Sequence, residues 1–220
     1  MSNGILEGVV TMANIQNMSF RDIDHKFLIV KNIDLRTRLI IEKSDFKIRK
    51  DDNAMLVYGY IDKDAGLSFE LLCAAYVYDD GSIALEPPNN TTSFKFRYDS
   101  YNWDVEQLND RKLLAPYEER AKDIDKWYKC SDDTMAFRSI EEIDHLRAPG
   151  YPDDIIVLFH MDGYRNEGIW CRIHKFDLEN RLIKMKMLNE PNAPFGKHHG
   201  DQVDVELINV EGEIHAVAKL

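Results

Sequence analysis

Apolar and charged residues alternate near the end of this chain, which restricts that region to β-strands with one buried face. The segment 183–187 alternates isoleucine or methionine with lysine, and the segment 202–207 alternates valine or leucine with polar or acidic residues. Successive side chains of a strand point to opposite faces, so each segment has one apolar and one charged face. The runs 155–159, 168–176 and 213–219 add further strands. We therefore expect residues 150–220 to form a small antiparallel sheet that curls on itself, like a barrel or a roll.

The first part of the chain is also rich in strand-forming residues. Runs of β-branched, aromatic and other apolar residues predict strands at 27–30, 39–41, 55–58, 67–78, 82–85 and 94–98. Asp79-Asp80-Gly81 separates two of these runs, and an Asp-Gly pair in that position is a strong hairpin signal. Residues 1–103 are expected to form a strand-rich N-terminal domain.

Helices are predicted between the two strand-rich parts. Asp104 is a candidate cap for a first helix that runs towards Leu114, and Pro116 suits the first turn of a second helix. Apolar residues at helical spacing give the second helix a buried face: Tyr117, Ala121, Ile124 and Tyr128. The pattern as a whole predicts an α+β fold.

A third helix is predicted from the capping box Ser139-Ile-Glu-Glu142, whose side chains can satisfy the first free N–H groups of a helix. Turn-forming residues at Pro149-Gly-Tyr-Pro152 follow it and are the best candidate for a domain boundary. The prediction is a helical connecting segment at 104–149 and a C-terminal antiparallel β domain at 150–220.

The chain carries an excess of acidic residues. It has 39 Asp and Glu against 28 Lys and Arg, a formal net charge of −11. Binding along a nucleic-acid backbone needs clustered cations, and an anionic membrane surface attracts them, so neither partner is expected. An acidic surface suits a basic protein partner, and it also serves solubility alone.

Three features predict a cytoplasmic protein. Residues 1–18 lack a basic segment followed by a continuous apolar one, so no signal peptide is expected. The longest apolar run, 71–78, is far shorter than the roughly 20 residues that cross a bilayer. The three cysteines are few and widely separated, and Cys73 and Cys171 lie in apolar runs, as small buried residues do.

The segment 188–201 is the most distinctive stretch, because it combines two prolines, two glycines and two adjacent histidines between predicted strands. Histidine and carboxylate side chains suit a polar ligand, a proton transfer or a metal. The alternative is a solvated loop whose histidines bind nothing and whose glycines supply turns. No metal is predicted, since adjacent histidines reach one ion only in a bent loop. The candidate binding residues are Asn189, Glu190, His198, His199 and Asp201.

Trp170 is the sixth candidate binding residue, and its expected role is structural first. We expect its side chain to anchor the C-terminal core, with the indole N–H hydrogen-bonded near a turn. Asn189 and Pro191 are expected to fix the exit of the preceding strand, and Asp201 to cap the loop.

No catalytic or cofactor motif is present. The chain lacks a Gly-x-Ser-x-Gly elbow, a phosphate-binding Gly-Lys-Ser/Thr loop, a dinucleotide glycine fingerprint, a Cys-x-x-Cys pair and a His-Glu-x-x-His motif. The Asp pairs at 51–52, 79–80, 132–133 and 153–154 fit turns or helix caps better than a metal site. No catalytic residue and no cofactor are predicted, although an enzyme with scattered catalytic residues shows no such motif.

Four short motifs near the end of the chain form a recognisable pattern: Glu167-Gly-Ile-Trp-Cys-Arg-Ile173, Leu188-Asn-Glu-Pro191, Phe195-Gly196 and Gly200-Asp201. The pattern resembles a group of bacterial domains of unknown function with a Trp-led strand, an Asn-Glu/Asp-Pro turn and a Gly-Asp pair. Cys171 departs from it, because an aliphatic residue is usual there. Related small domains are associated with immunity proteins of bacterial toxin systems. The resemblance covers about a third of the chain and implies a protein-binding role.

Three functions are open, and the first is favoured. It is a non-catalytic cytosolic module that binds a basic protein, of which an immunity-type role is one version. The second is a small-molecule or metal-binding protein that uses the segment 188–201. The third is a hydrolase without an obvious motif, which needs a concave pocket lined by carboxylates or histidines. A monomer and a dimer fit the composition equally.

Overall fold

Most of the apolar runs of the first hundred residues lie in one antiparallel sheet in the computed structural model, which describes residues 12–89, 91–177 and 182–220. The strands follow the order β1-β7-β2-β3-β4-β5, with β6 paired to β4. The strands are β1 Ala13–Asn14, β2 Lys26–Lys31, β3 Ala54–Asp62, β4 Gly66–Val77, β5 Ile83–Leu85, β6 Lys95–Arg97 and β7 Asp104–Gln107. The helices of this part are α1 Leu35–Lys43, α2 Arg111–Leu114 and α3 Glu118–Trp127.

Both faces of the sheet are covered, which explains why β3 and β4 are apolar along almost their whole length. One face packs with α1 and with a group of aromatic side chains that includes Phe96 and Trp103. The other face packs with α2 and α3 through Leu114, Ala121 and Ile124. The predicted hairpin at residues 79–81 is confirmed as the turn between β4 and β5, and Gly81 adopts a φ of 84° there.

The predicted strand at 39–41 is wrong, because these residues lie in α1. Asp34 caps the helix, and its Oδ1 accepts the Thr37 N–H at 2.7 Å. Thr37 and Ile41 are buried at helical spacing. A three-residue apolar run fits a strand and a helix equally well, and here the cap decides.

The first predicted helix begins later than expected. Asp104 starts β7, where Val105 pairs with Val30 of β2. Asp110 caps the short helix α2 instead, and its Oδ1 accepts the N–H groups of Lys112 and Leu113 at 2.9 and 3.2 Å. The second predicted helix is confirmed as α3, preceded by a 3-10 turn at Ala115–Tyr117 that contains Pro116.

The last part of the chain forms a closed five-stranded barrel. Its wall is made of β9 Tyr151–Phe159, β10 Glu167–Asp177, β11 Leu182–Met187, β12 Gln202–Val210 and β13 Glu213–Lys219, and the short strand β8 Arg147–Ala148 pairs with β9. Four consecutive antiparallel pairings are followed by one parallel pairing of β13 with β9, at Val217 and Leu158. With five alternating strands the first and last run in the same direction, so closure must be parallel. The barrel-like C-terminal part of the predicted α+β fold is confirmed.

The predicted third helix is replaced by two shorter elements. Helix α4 Asp132–Arg138 is capped by Ser131, whose Oγ accepts the Thr134 N–H at 3.2 Å. Ser139 is at the end of α4, and its hydroxyl donates to the Ala136 carbonyl at 2.7 Å rather than capping a new helix. A 3-10 helix, Glu141–Leu146, follows.

The chain divides into two compact units, residues 1–128 and 129–220. The predicted helical connecting segment at 104–149 is therefore shared between them. In the N-terminal unit, Ala121 and Ile124 of α3 pack on the sheet. In the C-terminal unit, Phe137 of α4 is fully buried in the barrel core. Each helix belongs to the unit that buries its apolar side.

The pair Asp153 and Asp154 is not in a turn, as was expected, but inside β9. Asp153 forms two 2.7 Å hydrogen bonds with the guanidinium of Arg138. Asp154 forms a similar pair with Arg172 of β10, at 2.6 and 2.8 Å. The two carboxylates are buried, and strand geometry sends them to opposite sides of the barrel wall.

Within the described residues, no helix is long and apolar enough to cross a bilayer.

Candidate functional site

The six predicted binding residues lie close together in the C-terminal unit. Trp170 is in β10, and the others lie in the segment 188–201 that connects β11 to β12: Asn189, Glu190, His198, His199 and Asp201. This segment contains no helix or strand. Side-chain hydrogen bonds nevertheless hold it along its length, so it presents a defined surface.

Asn189 holds the start of the segment against β10. Its Oδ1 accepts the backbone N–H of Trp170 at 2.8 Å, and the Leu188 N–H donates to the Trp170 carbonyl at 2.8 Å. These bonds continue the pairing of β10 with β11 beyond Met187, where β11 ends. The predicted role of Asn189 at the strand exit is confirmed.

Glu190 binds both histidines with separate oxygen atoms. Its Oε1 lies 2.6 Å from Nδ1 of His198, and its Oε2 accepts the backbone N–H of His199 at 2.7 Å. The bond from His199 and the contact with His198 lower the pKa of Glu190, and the same contact raises the pKa of His198. Both side chains are exposed, so the pair is an accessible surface ion pair.

Asp201 closes the segment. Its Oδ2 accepts the His198 N–H, and its own N–H donates to the His198 carbonyl, both at 2.9 Å. The backbones of Gly200 and Asp201 exchange hydrogen bonds with Met187, so the chain returns to the end of β11. The φ of Gly200 is 90°, which a residue with a side chain rarely adopts. The predicted capping role of Asp201 is confirmed.

The middle of the segment is fixed by two residues that sequence reasoning did not assign to the site. The carboxylate of Glu167 accepts the N–H groups of Asn192 and Ala193 at 2.8 and 2.7 Å. Phe195 is buried, and its ring centroid lies 5.6 Å from that of Phe159. Glu167 precedes Asn192 and Ala193 by 25 and 26 positions, and only the register of the barrel brings it here.

The carboxylates of the site direct their oxygens at the segment's own donors. Both oxygens of Glu190 and one oxygen of Asp201 accept hydrogen bonds within residues 188–201. Among the described parts of the chain, no group of three or more His, Cys, Asp or Glu is placed to hold a metal ion. The arrangement suits a rigid, polar surface loop.

We expect the double variant His198→Ala/His199→Ala to keep its fold and to lose only a small, pH-dependent part of its thermal stability. His199 contributes its backbone N–H, which alanine retains, and the exposed His198 contributes one side-chain contact. The raised pKa of His198 implies stabilisation that is present below about pH 6.5 and is lost as the pH rises through the raised value. The lowered pKa of Glu190 implies stabilisation that is present above about pH 4.5 and is lost as the pH falls.

The melting temperatures of the double variant and the parent should therefore differ at about pH 5.5 and converge at about pH 9. Differential scanning calorimetry at both pH values checks this. A large loss that is the same at both pH values would instead show that the histidines are structural.

The expectation that Trp170 anchors the core is wrong. Its neighbours Ile169 and Cys171 are buried in the barrel, so alternation along β10 turns Trp170 outward, and 37% of it is exposed. The contact with Asn189 is made by its backbone N–H, and not by the indole. Trp170 is therefore a surface aromatic residue on a rigid strand.

Apolar side chains continue from Trp170 across the outer face of the barrel. Ile156 of β9 is its direct cross-strand partner, and Leu158 of β9 is the partner of Gly168 on one side and of Val217 on the other. Ile156 lies over Gly168, because a Cβ atom there would be 2.9 Å from Ile156 Cδ1. We call Trp170, Ile156, Leu158 and Val217 the Trp170 surface.

Polar residues border the Trp170 surface. The ion pair of Arg172 with Asp154 occupies the next cross-strand position beyond Trp170 and Ile156. Glu206 of β12 is the partner of Val217 on the opposite border. Asn189 and Glu190 follow at the end of β11. An apolar centre with a polar border is the usual composition of a protein-binding surface.

The N-terminal unit contains a polar cluster that the sequence did not reveal. Nδ1 of His25 lies 2.7 Å from Oδ1 of Asp125, and the Tyr58 hydroxyl donates to the same oxygen at 2.9 Å. Burial and this bond to a carboxylate raise the pKa of Tyr58. Oδ2 of Asp24 lies 3.6 Å from Nε2 of His25, so both ring nitrogens face carboxylates. His25 and Asp125 are 100 positions apart, and no local motif links them.

Protein-family models, curated proteins and solved structures were each compared with this chain, and none of them matches.

Proposed function

We propose that this protein is a non-catalytic protein-binding module, and that its partner docks on the Trp170 surface. The observation that carries the proposal is an outward tryptophan in β10 whose cross-strand partner is Ile156, with Leu158 and Val217 continuing the apolar area across β9 and β13. Tryptophan is enriched among the residues that dominate binding energies. A contiguous apolar area with a polar border is a mark of an interaction site.

The rigidity of the surroundings supports this use of the surface. Trp170, Ile156 and Val217 project from paired strands, and Asn189 and Glu190 are held by the hydrogen bonds described above. Binding to such a surface orders few additional groups, which lowers the entropic cost of association.

The partner we propose is a basic protein. The chain has a net charge of −11, and oppositely charged surfaces speed association and exclude wrong partners. An immunity-type role, with a toxin protein as the partner, is one version of the proposal and rests on the sequence resemblance. A bacterial cytoplasm is the proposed location, and it is supported by the three free cysteines, Cys73, Cys130 and Cys171.

Affinity capture tests the proposal. The immobilised full chain and its Trp170→Ala variant are exposed to lysate of the organism that encodes it, at low and at moderate salt. We expect one basic protein to be retained by the parent and to be lost from the variant. Retention should weaken as the salt concentration rises, because screening reduces the attraction between unlike charges. The same proteins on both columns would contradict the role of Trp170.

The second candidate function is a small-molecule site at residues 188–201, and one observation favours it. The exposed Glu190–His198 pair offers a donor and an acceptor to a polar ligand. A ligand that binds only the native state raises its stability, so a thermal-shift screen of metals and metabolites tests this alternative. If a ligand stabilises the parent but not the His198→Ala/His199→Ala variant, its binding site lies at residues 188–201.

A further inference from the structure

The C-terminal unit contains a cavity that lies apart from the Trp170 surface. It has a volume of about 720 Å³, is partly open to solvent, and is lined by residues of the strands β10, β11, β12 and β13 and of the 3-10 helix Glu141–Leu146. Small-molecule sites have volumes of roughly 300–1,000 Å³ and are common at the mouths of β-barrels. The size and the position of this cavity therefore fit a small organic ligand.

The floor of the cavity is apolar. It is formed by side chains on the core side of the barrel strands: Phe176, Ile183, Val205, Leu207 and Ile214. Ile143 of the 3-10 helix contributes from the other side. Water in contact with such a floor gains few hydrogen bonds, so an apolar group that replaces it is favoured.

The rim of the cavity carries a negative charge. Glu206 and Lys219 both line it, and they neutralise each other in an ion pair of 3.0 Å. Glu142 also lines it, and within the described residues it forms no ion pair. Glu141 lies on the same 3-10 helix and adds to the negative potential, whereas Asp144 of that helix is neutralised by Arg147 in an ion pair of 2.8 Å.

We propose that this cavity binds a small organic cation with an apolar body, such as an alkylammonium compound. The apolar body lies on the floor between Ile183, Leu207 and Ile214, and the cationic nitrogen lies at the rim near Glu142. An anion of the same shape is repelled by the rim, and a neutral analogue gains only the contacts with the floor. Glu206 borders both sites, but none of the variants below changes it, so the two proposals can be tested separately.

Calorimetric titration of the full chain with octyltrimethylammonium tests this proposal. Octyl sulfate and octanol are the matched anionic and neutral probes. Each ionic amphiphile is used below its critical micelle concentration. We expect saturable binding of the cation, up to about fivefold tighter than that of octanol and tighter still than that of octyl sulfate, because a surface charge contact contributes up to about 1 kcal/mol. Equal or tighter binding of the sulfate or of octanol would overturn the proposal, as would no saturable binding of the cation.

Variants locate the site. Leu207→Trp fills the cavity and should abolish binding, and Glu142→Gln should weaken it about threefold by removing the rim charge. Asp162→Asn removes another exposed acid, from the turn between β9 and β10, and should leave the affinity unchanged. If Leu207→Trp failed to fold, as judged by circular dichroism, the affinities of Glu142→Gln and Asp162→Asn would still test whether the cation binds at this rim. Equal affinities of these two variants would overturn the assignment.

Discussion

Replacing Arg138 with methionine is expected to lower the free energy of unfolding by about 3–5 kcal/mol. Nε and Nη2 of Arg138 each lie 2.7 Å from one oxygen of Asp153, and both side chains are about nine-tenths buried. Without the guanidinium, the carboxylate of Asp153 remains in the barrel without its bidentate partner. Such a group has lost its hydrogen bonds to water, and the protein offers too few hydrogen bonds to replace them. Equilibrium denaturation in urea, followed by circular dichroism, measures the loss.

Two further variants separate this cause from a general effect of lost packing. Arg138→Met/Asp153→Leu removes both charges and should recover most of the lost stability, since an apolar pair of similar size often replaces a buried ion pair without loss. Lys122→Met breaks the exposed pair with Glu118, whose atoms are 3.7 Å apart, and should change the stability by less than about 0.5 kcal/mol. A loss below about 1 kcal/mol for Arg138→Met would contradict the structural role given to the pair.

The barrel could be predicted from the sequence because its strands show their burial in their alternation. Ile183, Met185 and Met187 are buried, as the lysines between them indicated. Glu211 and Gly212 form the turn between β12 and β13. Closure of the sheet could be expected only in outline, because the pairing of Val217 with Leu158 joins residues 59 positions apart and has no local signal.

The wrong predictions have two physical origins: a pattern that is too short to specify one structure, and contacts between residues far apart in the sequence. The run 39–41 is too short for its period to distinguish a helix from a strand. Asp104 can cap a helix, but the pairing of its neighbour Val105 with β2 places it in a strand. Asp153 was expected in a turn, and only the distant Arg138 makes its burial in β9 favourable.

The candidate site could be predicted only in part, because some of its features depend on contacts between strands. Five of its six residues are neighbours within the segment 188–201, so their proximity follows from the sequence alone. The outward direction of Trp170 and its register with Ile156 depend on which face of β10 is buried. That choice was ambiguous, because apolar residues occur at 169, 170 and 171 in succession.

Replacing Trp170 with alanine is expected to weaken binding of the captured partner by at least about 2 kcal/mol, which is about thirtyfold in Kd. Trp170 is the largest side chain of the Trp170 surface, and Ile156 and Leu158 of the adjacent strand β9 lie beside it as apolar groups that exclude water. Val217 extends this apolar area beyond Leu158. The fold should be unaffected, since the structural bond to Asn189 uses the backbone N–H of residue 170, which alanine retains. The loss should therefore appear in binding rather than in stability.

Trp127 provides a matched control, because it is an even more exposed tryptophan, at 64%, and belongs to the N-terminal unit. The deciding measurement is the Kd of the captured partner for the parent, for Trp170→Ala and for Trp127→Ala, at one salt concentration and with melting temperatures recorded. The proposed function predicts an approximately thirtyfold increase in Kd for Trp170→Ala and a change of less than about twofold for Trp127→Ala. Equal Kd values for Trp170→Ala and the parent would show that the partner binds elsewhere, and would contradict the central claim.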